Sequence, residues 1–215
     1  NHFGVHSTPI LFLFYPLHRL FNHPLFFVTL HAIGLWSAAF PLYALSRHFW
    51  KEPGWSRVLL LGAFFCSPWV IKILAYQFHV EVFYVPLFLW LVLGMERRNW
   101  IWVFLSSVLI LSVKEDGAVY LAALAAAYWM TRRIPIRPAL VMIGVSMAVF
   151  LLNTRWIIPF NAGRDVYQLA STSTRFGNSI GEIIPGMLSH WNEVLLDVLK
   201  GAWLSKLYPY LYLPL

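Results

Sequence analysis

The sequence Ser-Val-Lys-Glu-Asp-Gly at residues 112–117 places three consecutive charged residues between two strongly apolar runs. The runs are Trp100–Val113 and Ala118–Met130. Because an ionised side chain is costly at membrane depth, this cluster requires an explanation. It is either a polar turn between two spanning helices or a site at the membrane–water boundary. In the second case the lysine meets an anion, and an acid meets a cation or a proton.

The composition is that of an integral membrane protein. Of the 215 residues 60% are hydrophobic and 12% are charged, and the mean hydropathy is +0.65, whereas a soluble domain carries about 25% charged residues. The one cysteine, Cys66, lies inside an apolar run, which excludes a disulfide within the chain. The net charge of +7 reports the placement of basic loops. We expect an all-α polytopic membrane protein without a nucleic-acid partner.

About seven transmembrane helices are predicted, with interfacial helices between them. Pro9–Phe21 is too short for the roughly 20 residues that a spanning helix needs, so it is predicted to be an interfacial helix broken near Pro16. Pro68 is expected to kink the second crossing. The predicted crossings are Pro24–Leu45, Val58–Ala75, Val82–Met95, Trp100–Val113, Ala118–Met130, Pro138–Ile158 and a segment from Trp203.

A single transmembrane domain is predicted over residues 1–215, as a fragment of a longer protein. The chain begins without Met and stops inside an apolar run, so we expect the first helix and the C-terminal part to be missing. Residues 1–23 would be the end of the first outer loop with its interfacial helix. Residues 159–200 would be an outer loop with an amphipathic helix, because apolar residues recur there at helical spacing. A break in that helix is expected before Pro185.

Three loops share one side of the membrane if every crossing is real: 46–57, 96–99 and 131–137. These loops are rich in arginine, which favours the cytoplasmic side. The outer side then collects the residues that can carry chemistry. They are His2, His6, His79, Glu81, Lys114, Glu115 and Asp116. The crossings 82–95, 100–113 and 118–130 have only about 13–14 apolar residues each. Either flanking residues such as Tyr76, Phe78 and Trp100 sit inside the bilayer, or the outer face dips into a cavity with His79, Glu81 and the Lys114 turn at its floor.

Lys114 is a candidate substrate-binding residue, because an ammonium at the outer end of a helix is a good partner for a phosphate. The alternative is a lysine neutralised by its own neighbours in a solvated turn. His79 and Glu81 could bind a divalent metal, with His2 and His6 on the same side. The spacing matches no standard zinc pattern, and the alternative is interfacial histidines that are hydrogen-bonded to backbone or water.

Arg155 lies near the outer end of the crossing Pro138–Ile158. Its guanidinium either snorkels to the interface or helps to hold an anionic lipid headgroup. The residues predicted to bind substrate are Lys114, His79, His6, His2 and Arg155.

Three motifs occur in order along the chain: Asn-His-Phe-Gly-Val-His-Ser-Thr-Pro at residues 1–9, Phe-His-Val-Glu at 78–81 and Val-Lys-Glu-Asp at 113–116. They resemble a family of prokaryotic predicted membrane proteins, the domain of unknown function 2079, over essentially the whole chain. Thr8 stands where the family pattern has Ser, and Val80 stands where it has Pro. The second departure leaves the geometry of the turn at 78–81 open.

The resemblance implies the topology of polytopic glycosyltransferases of the C-type fold, which take a sugar from a polyprenyl-phosphate carrier on the outer membrane face. On that analogy, Lys114 falls where such enzymes carry a lysine near the donor phosphate. Their catalytic acid usually follows the first helix, which would precede Asn1. The catalytic candidates within the chain are Glu81, Asp116 and Glu115. The implied partners are membrane lipid and a polyprenyl-phosphate-linked sugar, at a site facing outward from the cytoplasmic membrane of a prokaryote.

Two other functions are open. A transporter or flippase for a lipid-linked or anionic substrate would use charges at mid-depth and broken helices. Against it, the ionisable residues cluster at one face, and the sequence has no visible repeat. A non-catalytic membrane assembly subunit would use the charged clusters only to end its helices.

Overall fold

The computed structural model describes residues 3, 5–50, 54–163, 176, 180–197 and 199. These residues form helices and connecting turns, and no strand occurs among them. The predicted all-α fold is therefore confirmed for this part of the chain. The chain divides into two compact units, Asn1–Ala162 and Gly163–Leu215, which are described separately.

The first unit consists of short, mostly apolar helices joined by tight turns. In chain order they are α1 Ile10–Leu20, α2 Leu25–Trp36, α3 Ala39–Phe49, α4 Gly54–Phe65, α5 Pro68–Ala75, a 3₁₀ turn Val80–Phe83, α6 Tyr84–Glu96, α7 Trp100–Val113, α8 Gly117–Met130, α9 Ile136–Leu152, a π-helical turn Asn153–Ile157 and α10 Ile158–Ala162. The second unit contains α11, Ile180–Ser189.

The turn between α6 and α7 shows how local sequence sets the packing of the central helices. Arg98 adopts a left-handed conformation with φ = 52°. Asn99 caps α7, because its side-chain oxygen accepts the Trp102 N–H at 3.3 Å. Gly94 lets the two helices approach closely, since a Cβ there would lie 3.1 Å from Val103. The resulting antiparallel hairpin shares a buried apolar core with α8 and α9.

Helix length separates two kinds of helix in the first unit. Leu25–Phe49, with 25 residues, and Ile136–Ala162, with 27, are long and apolar enough to cross a membrane. The α4–α5 pair gives a third span if its two helices, bent by 52°, count as one. By contrast, α6, α7 and α8 have 13, 14 and 14 residues, or about 20 Å each. The described residues thus support two or three spans, and the prediction of about seven is not confirmed.

Many large apolar side chains are exposed on the first unit, as expected of a surface that faces lipid. The exposed fraction is 72% for Ile101 and 65% for Phe104 on α7, and 75% for Met130 at the end of α8. A surface of this kind is typical of a membrane protein, and it agrees with the composition.

Two expectations about proline are wrong. Helix α1 runs through Pro16 without a break, because Pro16 lies on the exposed face and costs one hydrogen bond, that of the Phe12 carbonyl. Helix α11 likewise contains Pro185 in its interior, and the next turn falls at His190. The kink expected at Pro68 is confirmed: α4 ends before it, and the Ser67 hydroxyl starts α5 by accepting the Val70 N–H at 3.3 Å. The apolar segment predicted from residue 203 lies outside the described residues.

Candidate functional site

The turn from α7 into α8 positions the charged residues singled out above. Lys114 ends α7 in an extended conformation, with φ = −165°. Helix α8 begins three residues later at Gly117, where a Cβ would lie 2.6 Å from the Ile110 carbonyl oxygen and 2.8 Å from the Tyr84 hydroxyl. A glycine is therefore required for this tight connection. We call the side chains that meet here the Lys114 cluster: Lys114, Glu81, His79, His6, Glu115 and Asp116.

Lys114 pairs with Glu81, which comes from the 3₁₀ turn 33 positions earlier in the chain. The Lys114 Nζ lies 2.8 Å from Glu81 Oε1, and the two side chains are 18% and 34% exposed. The Nδ1 of His79 is 3.7 Å from Glu81 Oε2. His79 is extended, with φ = −131°, just before the 3₁₀ turn begins, so it and Glu81 share one face. The predicted approach of these three residues is confirmed.

Opposing effects set the protonation of this ion pair. Burial raises the pKa of the Glu81 carboxyl, but the hydrogen bond and charge of Lys114 outweigh it, and the pKa lies below its usual value. Burial lowers the pKa of Lys114, but the hydrogen bond and charge of Glu81 outweigh it, and that pKa lies above its usual value. Both groups are therefore ionised at neutral pH. While the pair is intact, Glu81 is a weak base.

Glu115 connects three parts of the first unit. Its side chain is 2% exposed. One oxygen lies 2.8 Å from the Nδ1 of His6, and the other accepts the Ser7 N–H at 2.9 Å. The Ser7 hydroxyl donates in turn to the side-chain oxygen of Asn153 at 2.7 Å, in the π-helical turn after α9. Such turns are frequent at functional sites. Glu115 thus holds the N-terminal segment against the α7–α8 turn and fixes the ring of His6.

Asp116 accepts a hydrogen bond from the Tyr84 hydroxyl at 2.5 Å. The same hydroxyl lies 3.3 Å from the Lys114 carbonyl oxygen. The turn is therefore not a solvated loop in which Lys114 is neutralised only by its neighbours: each acid has a partner from another element. The alternative of a simple polar turn is wrong for this chain.

A cleft of about 460 Å³ opens beside the Lys114 cluster. This volume is in the range of small-molecule sites, which extends from about 300 to 1,000 Å³. Ionisable groups form one part of its wall, and apolar side chains form the rest. The lining residues are His6, Thr8, Leu11, Phe27, Phe78, His79, Val80, Glu81 and Lys114. We call it the first cleft.

Two predicted substrate-binding residues are not part of this arrangement as described. His2 lies outside the described residues. Arg155 lies in the π-helical turn with an exposed side chain, and no hydrogen bond or ion pair of the described residues joins it to the Lys114 cluster. Glu115 is buried behind His6, and Asp116 is engaged by Tyr84. Among the predicted catalytic acids, only Glu81 lines the first cleft.

The metal prediction rests on two groups, His79 and Glu81. Among the described residues, no group of three or more His, Cys, Asp or Glu side chains is arranged to hold a metal ion. Glu81 is instead bound to Lys114, and a nearby ammonium opposes the binding of a cation. A metal role for His79 and Glu81 remains a prediction.

Sequence reasoning missed the residues that support the cluster: Ser7, Tyr84 and Asn153. Tyr84 lies within an apolar run, whereas Ser7 and Asn153 lie in short polar groups beside apolar runs. A buried polar group needs a partner, so a hydroxyl or an amide at the edge of an apolar run is a usable signal. What the sequence lacks is the partner's identity, because these contacts join positions 32, 108, 109 and 146 apart.

The opposite end of α6 carries a second polar group, the Glu96 cluster: Glu96, Arg133, Tyr128 and His48. Glu96 Oε1 lies 2.5 Å from a guanidinium nitrogen of Arg133 and accepts the Tyr128 hydroxyl at 3.0 Å. Its other oxygen is 4.0 Å from the Nε2 of His48. Residues from the three loops that were predicted to share a side therefore meet here. The sorting of these loops away from Lys114 is confirmed.

Long apolar helices, lipid-exposed side chains and polar groups gathered at helix ends define an all-helical integral membrane protein. The family model described as "Predicted membrane protein (DUF2079)" matches residues 1–211, and the chain belongs to this family. The comparisons with curated proteins and with solved structures gave no match. The family is thus established, and the Lys114 cluster is the part of the structure that points to an activity.

Proposed function

We propose that this protein transfers a sugar from a polyprenyl-phosphate donor at the outer face of a prokaryotic cytoplasmic membrane. The observation that supports this proposal is the first cleft, which combines the ammonium of Lys114 with an apolar wall. A lipid-linked phosphate needs both features: a cation to pair with the phosphate and an apolar surface to contact the first part of the polyprenyl chain. The apolar wall includes Leu11, Phe27 and Phe78.

The donor phosphate would take the place of the Glu81 carboxylate on Lys114. Both are singly charged anionic acceptors with two free oxygen atoms, so the phosphate can replace the carboxylate on the same ammonium without changing the charge balance. His6, whose Nδ1 is held by Glu115, lies in the wall of the same cleft and would contact the donor. Glu115 acts through His6 in this scheme, so it is a positioning residue. Asp116 and Tyr84 fix the turn that carries Lys114.

Release from Lys114 would also convert Glu81 into a useful base. The ion pair holds its pKa down; without it, burial raises the pKa toward the range in which a carboxylate takes a proton. Glu81 would then accept the proton of the acceptor hydroxyl. The hydroxyl oxygen forms a bond to the anomeric carbon, and the bond from that carbon to the phosphate oxygen breaks. The phosphate leaves with the electron pair and stays beside Lys114.

The depth of the cluster fits a lipid-linked substrate. Helices α6 to α8 are about 20 Å long, against a hydrocarbon thickness of about 30 Å. The α9–α10 span continues nine residues past Asn153, which is roughly 14 Å further. If that span ends at the outer surface, the Lys114 cluster lies below it. In this proposal the remaining short helices also cross, which gives about seven crossings, and the arginine-rich loops face the cytoplasm.

Lys114→Ala tests the proposal directly. We expect loss of sugar transfer from a short-chain polyprenyl-phosphate-linked hexose, and weaker binding of that donor, while the protein still inserts in the membrane. Arg133→Ala is the matched control, since it removes a cation from the other end of the same helices. Normal transfer by Lys114→Ala would remove the phosphate role and the proposal with it.

A flippase or transporter is the second candidate, and the 52° bend between α4 and α5 favours it. Broken helices beside a polar site are the usual feature of transporters. The two functions differ in their product. In proteoliposomes a flippase moves the labelled donor between leaflets and leaves the sugar–phosphate bond intact, whereas the proposed enzyme breaks that bond only when an acceptor is present.

A further inference from the structure

A second cleft of about 410 Å³ lies on the other side of His79 and Glu81. The two clefts share these two residues in their walls. Helix α5 and the segment that follows it form most of the remaining wall. The lining residues are His31, Trp69, Lys72, Ile73, Tyr76, His79, Glu81 and Val82. Any group held in the second cleft is therefore next to the carboxylate that the proposed transfer uses as its base.

Lys72 is the cation of the second cleft. It is the one charged residue of the apolar helix α5, its side chain is exposed, and no ion pair involves it among the described residues. A lysine in an apolar segment of a membrane protein marks a functional site more often than a structural one. The carboxylate of Glu81 in the same wall is already matched by Lys114. The unmatched charge of Lys72 therefore suits an anionic ligand.

His31 adds an unused hydrogen-bond acceptor. The residue is 4% exposed and belongs to the wall of the second cleft. Its Nε2 lies 2.9 Å from the carbonyl oxygen of Ile73 and so donates to it. Its Nδ1 has no hydrogen-bond partner. With Nε2 protonated, Nδ1 carries a lone pair, and a ligand hydroxyl is the natural donor to it. Buried polar atoms without a partner are rare.

Two aromatic side chains complete the second cleft. Trp69 and Tyr76 are 40% and 64% exposed. Such rings offer an apolar face and a polar tip, which suits a molecule with both C–H surfaces and hydroxyls. The second cleft thus combines the ammonium of Lys72, the hydrogen-bond acceptor Nδ1 of His31 and two amphipathic rings.

We infer that the second cleft binds the acceptor of the transfer, a molecule that carries a phosphate-type anion close to free hydroxyls. The anion pairs with Lys72, one hydroxyl donates to His31, and another hydroxyl faces Glu81 in the shared wall. This inference rests on the proposed function, which supplies the sugar transfer in which the bound molecule is the acceptor. The anion-binding part of it stands on the geometry of the second cleft alone. The ligand chemistry is that of a glycerophosphate, either as a soluble molecule or as a lipid headgroup.

The test uses the full chain in phosphatidylcholine nanodiscs with two probes, glycerol 3-phosphate in solution and phosphatidylglycerol in the bilayer. Binding is measured by calorimetry for the first probe and by native mass spectrometry for the second. Loss of one charge-assisted contact predicts that Lys72→Gln weakens binding by about tenfold or more. Arg97→Gln, which removes an exposed cation at the other end of α6, is expected to change nothing. Binding of one probe only identifies the source of the ligand.

Two further variants keep the outcomes separate. Trp69→Leu removes a ring without changing charge and should weaken the same probe. Lys114→Gln should lose the polyprenyl-phosphate donor but keep glycerophosphate. If Lys72→Gln binds as the wild type does while Lys114→Gln loses glycerophosphate, the second cleft is not the site, and the donor proposal survives. If Lys114→Gln keeps the donor while Lys72→Gln loses glycerophosphate, the transfer proposal fails, and the anion site stands. Absence of binding for both probes overturns the inference.

Discussion

The Lys114 and Glu96 clusters close opposite ends of the same helices, and they differ in how their charges are balanced. At the Glu96 end, one carboxylate meets Arg133 and His48, whose side chains are 51% and 37% exposed. At the Lys114 end, three carboxylates surround one lysine that is 18% exposed, and two clefts open beside it. An ion pair at a helix end is thus not in itself a sign of function. A partly buried ion pair that lines a cleft, such as Lys114 with Glu81, is a better one.

The Glu96 cluster lines neither of the two clefts. It ties the end of α6 to the turn after α8, and Arg133 and His48 come from loops that the arginine pattern sorts to that side. The Lys114 cluster also joins distant segments, but its groups line open space. Equivalent substitutions in the two clusters should therefore differ in their effects on sugar transfer and on stability.

The largest difference in the rate of sugar transfer is expected between Glu81→Gln and Glu96→Gln. Loss of the base should slow transfer by about 10²–10⁴-fold, while donor binding is kept or becomes tighter because Lys114 is no longer occupied. Glu96→Gln should leave the rate within about twofold, since exposed pairs contribute little. Single-turnover assays and donor titrations on both variants measure this. Equal rates for the two variants would remove Glu81 from the chemistry.

Glu115→Ala should be the most destabilising of the acid substitutions. It leaves the Ser7 N–H and the His6 ring without their acceptor in a buried place, at a cost of about 2–3 kcal/mol. Glu115→Gln should recover part of this, because an amide oxygen can still accept one of the two bonds. Unfolding in mild detergent, followed by tryptophan fluorescence, gives the free energies. A loss no larger than that of Glu96→Ala would contradict the assigned role in joining the segments.

The stability of the Lys114–Glu81 pair should be independent of pH around neutrality. The pKa of Glu81 is lowered from 4.5, so its contribution is full above that value and is lost as the pH falls through the lower folded pKa. The pKa of Lys114 is raised from 10.5, so its contribution is full below that value and is lost as the pH rises through the higher folded pKa. Melting curves of the wild type and of a variant that lacks both charges, Glu81→Gln with Lys114→Gln, should differ by a constant amount between these limits. A difference that changes between pH 6 and 8 would contradict this.

Arg133→Ala should have the smallest effect on the free energy of unfolding, because the contact of its guanidinium with Glu96 is exposed and screened by salt. Added salt should reduce the effect further. The same unfolding assay at low and high ionic strength measures it. If Arg133→Ala lowered the free energy of unfolding by more than Glu115→Ala does, the Glu96 cluster would stabilise the fold more than the Lys114 cluster, contrary to this prediction.

The sequence predicted much of the fold and part of the candidate site. Composition identified the membrane class, and the arginine pattern placed the loops that meet at Glu96 on one side. The meeting of His79, Glu81 and Lys114 followed from that sorting, because alternate helix ends come together. The sequence also indicates the length of the short apolar helices, since α6 to α8 are 13–14 residues long.

Other features could not be read from the sequence. The partners of Glu115 and Asp116 depend on tertiary packing, which no local pattern reports. Proline rules overstated the disruption at Pro16, because a helix tolerates one missing hydrogen bond on its exposed side. Lys72 is a single lysine within an apolar run, but no local pattern shows that it shares a cleft with His31 and Glu81.

The shortness of α6, α7 and α8 has a consequence for the surrounding bilayer. If α6, α7 and α8 cross the bilayer, as the proposed function requires, helices of about 20 Å impose a hydrophobic mismatch, and the adjoining leaflets adapt by becoming thinner. Water and headgroups then come nearer to the protein's interior on that flank than elsewhere. A charged lipid carrier that approaches within the membrane plane would meet a smaller dielectric barrier there. The protein would thus thin the bilayer along the route by which its ligand arrives.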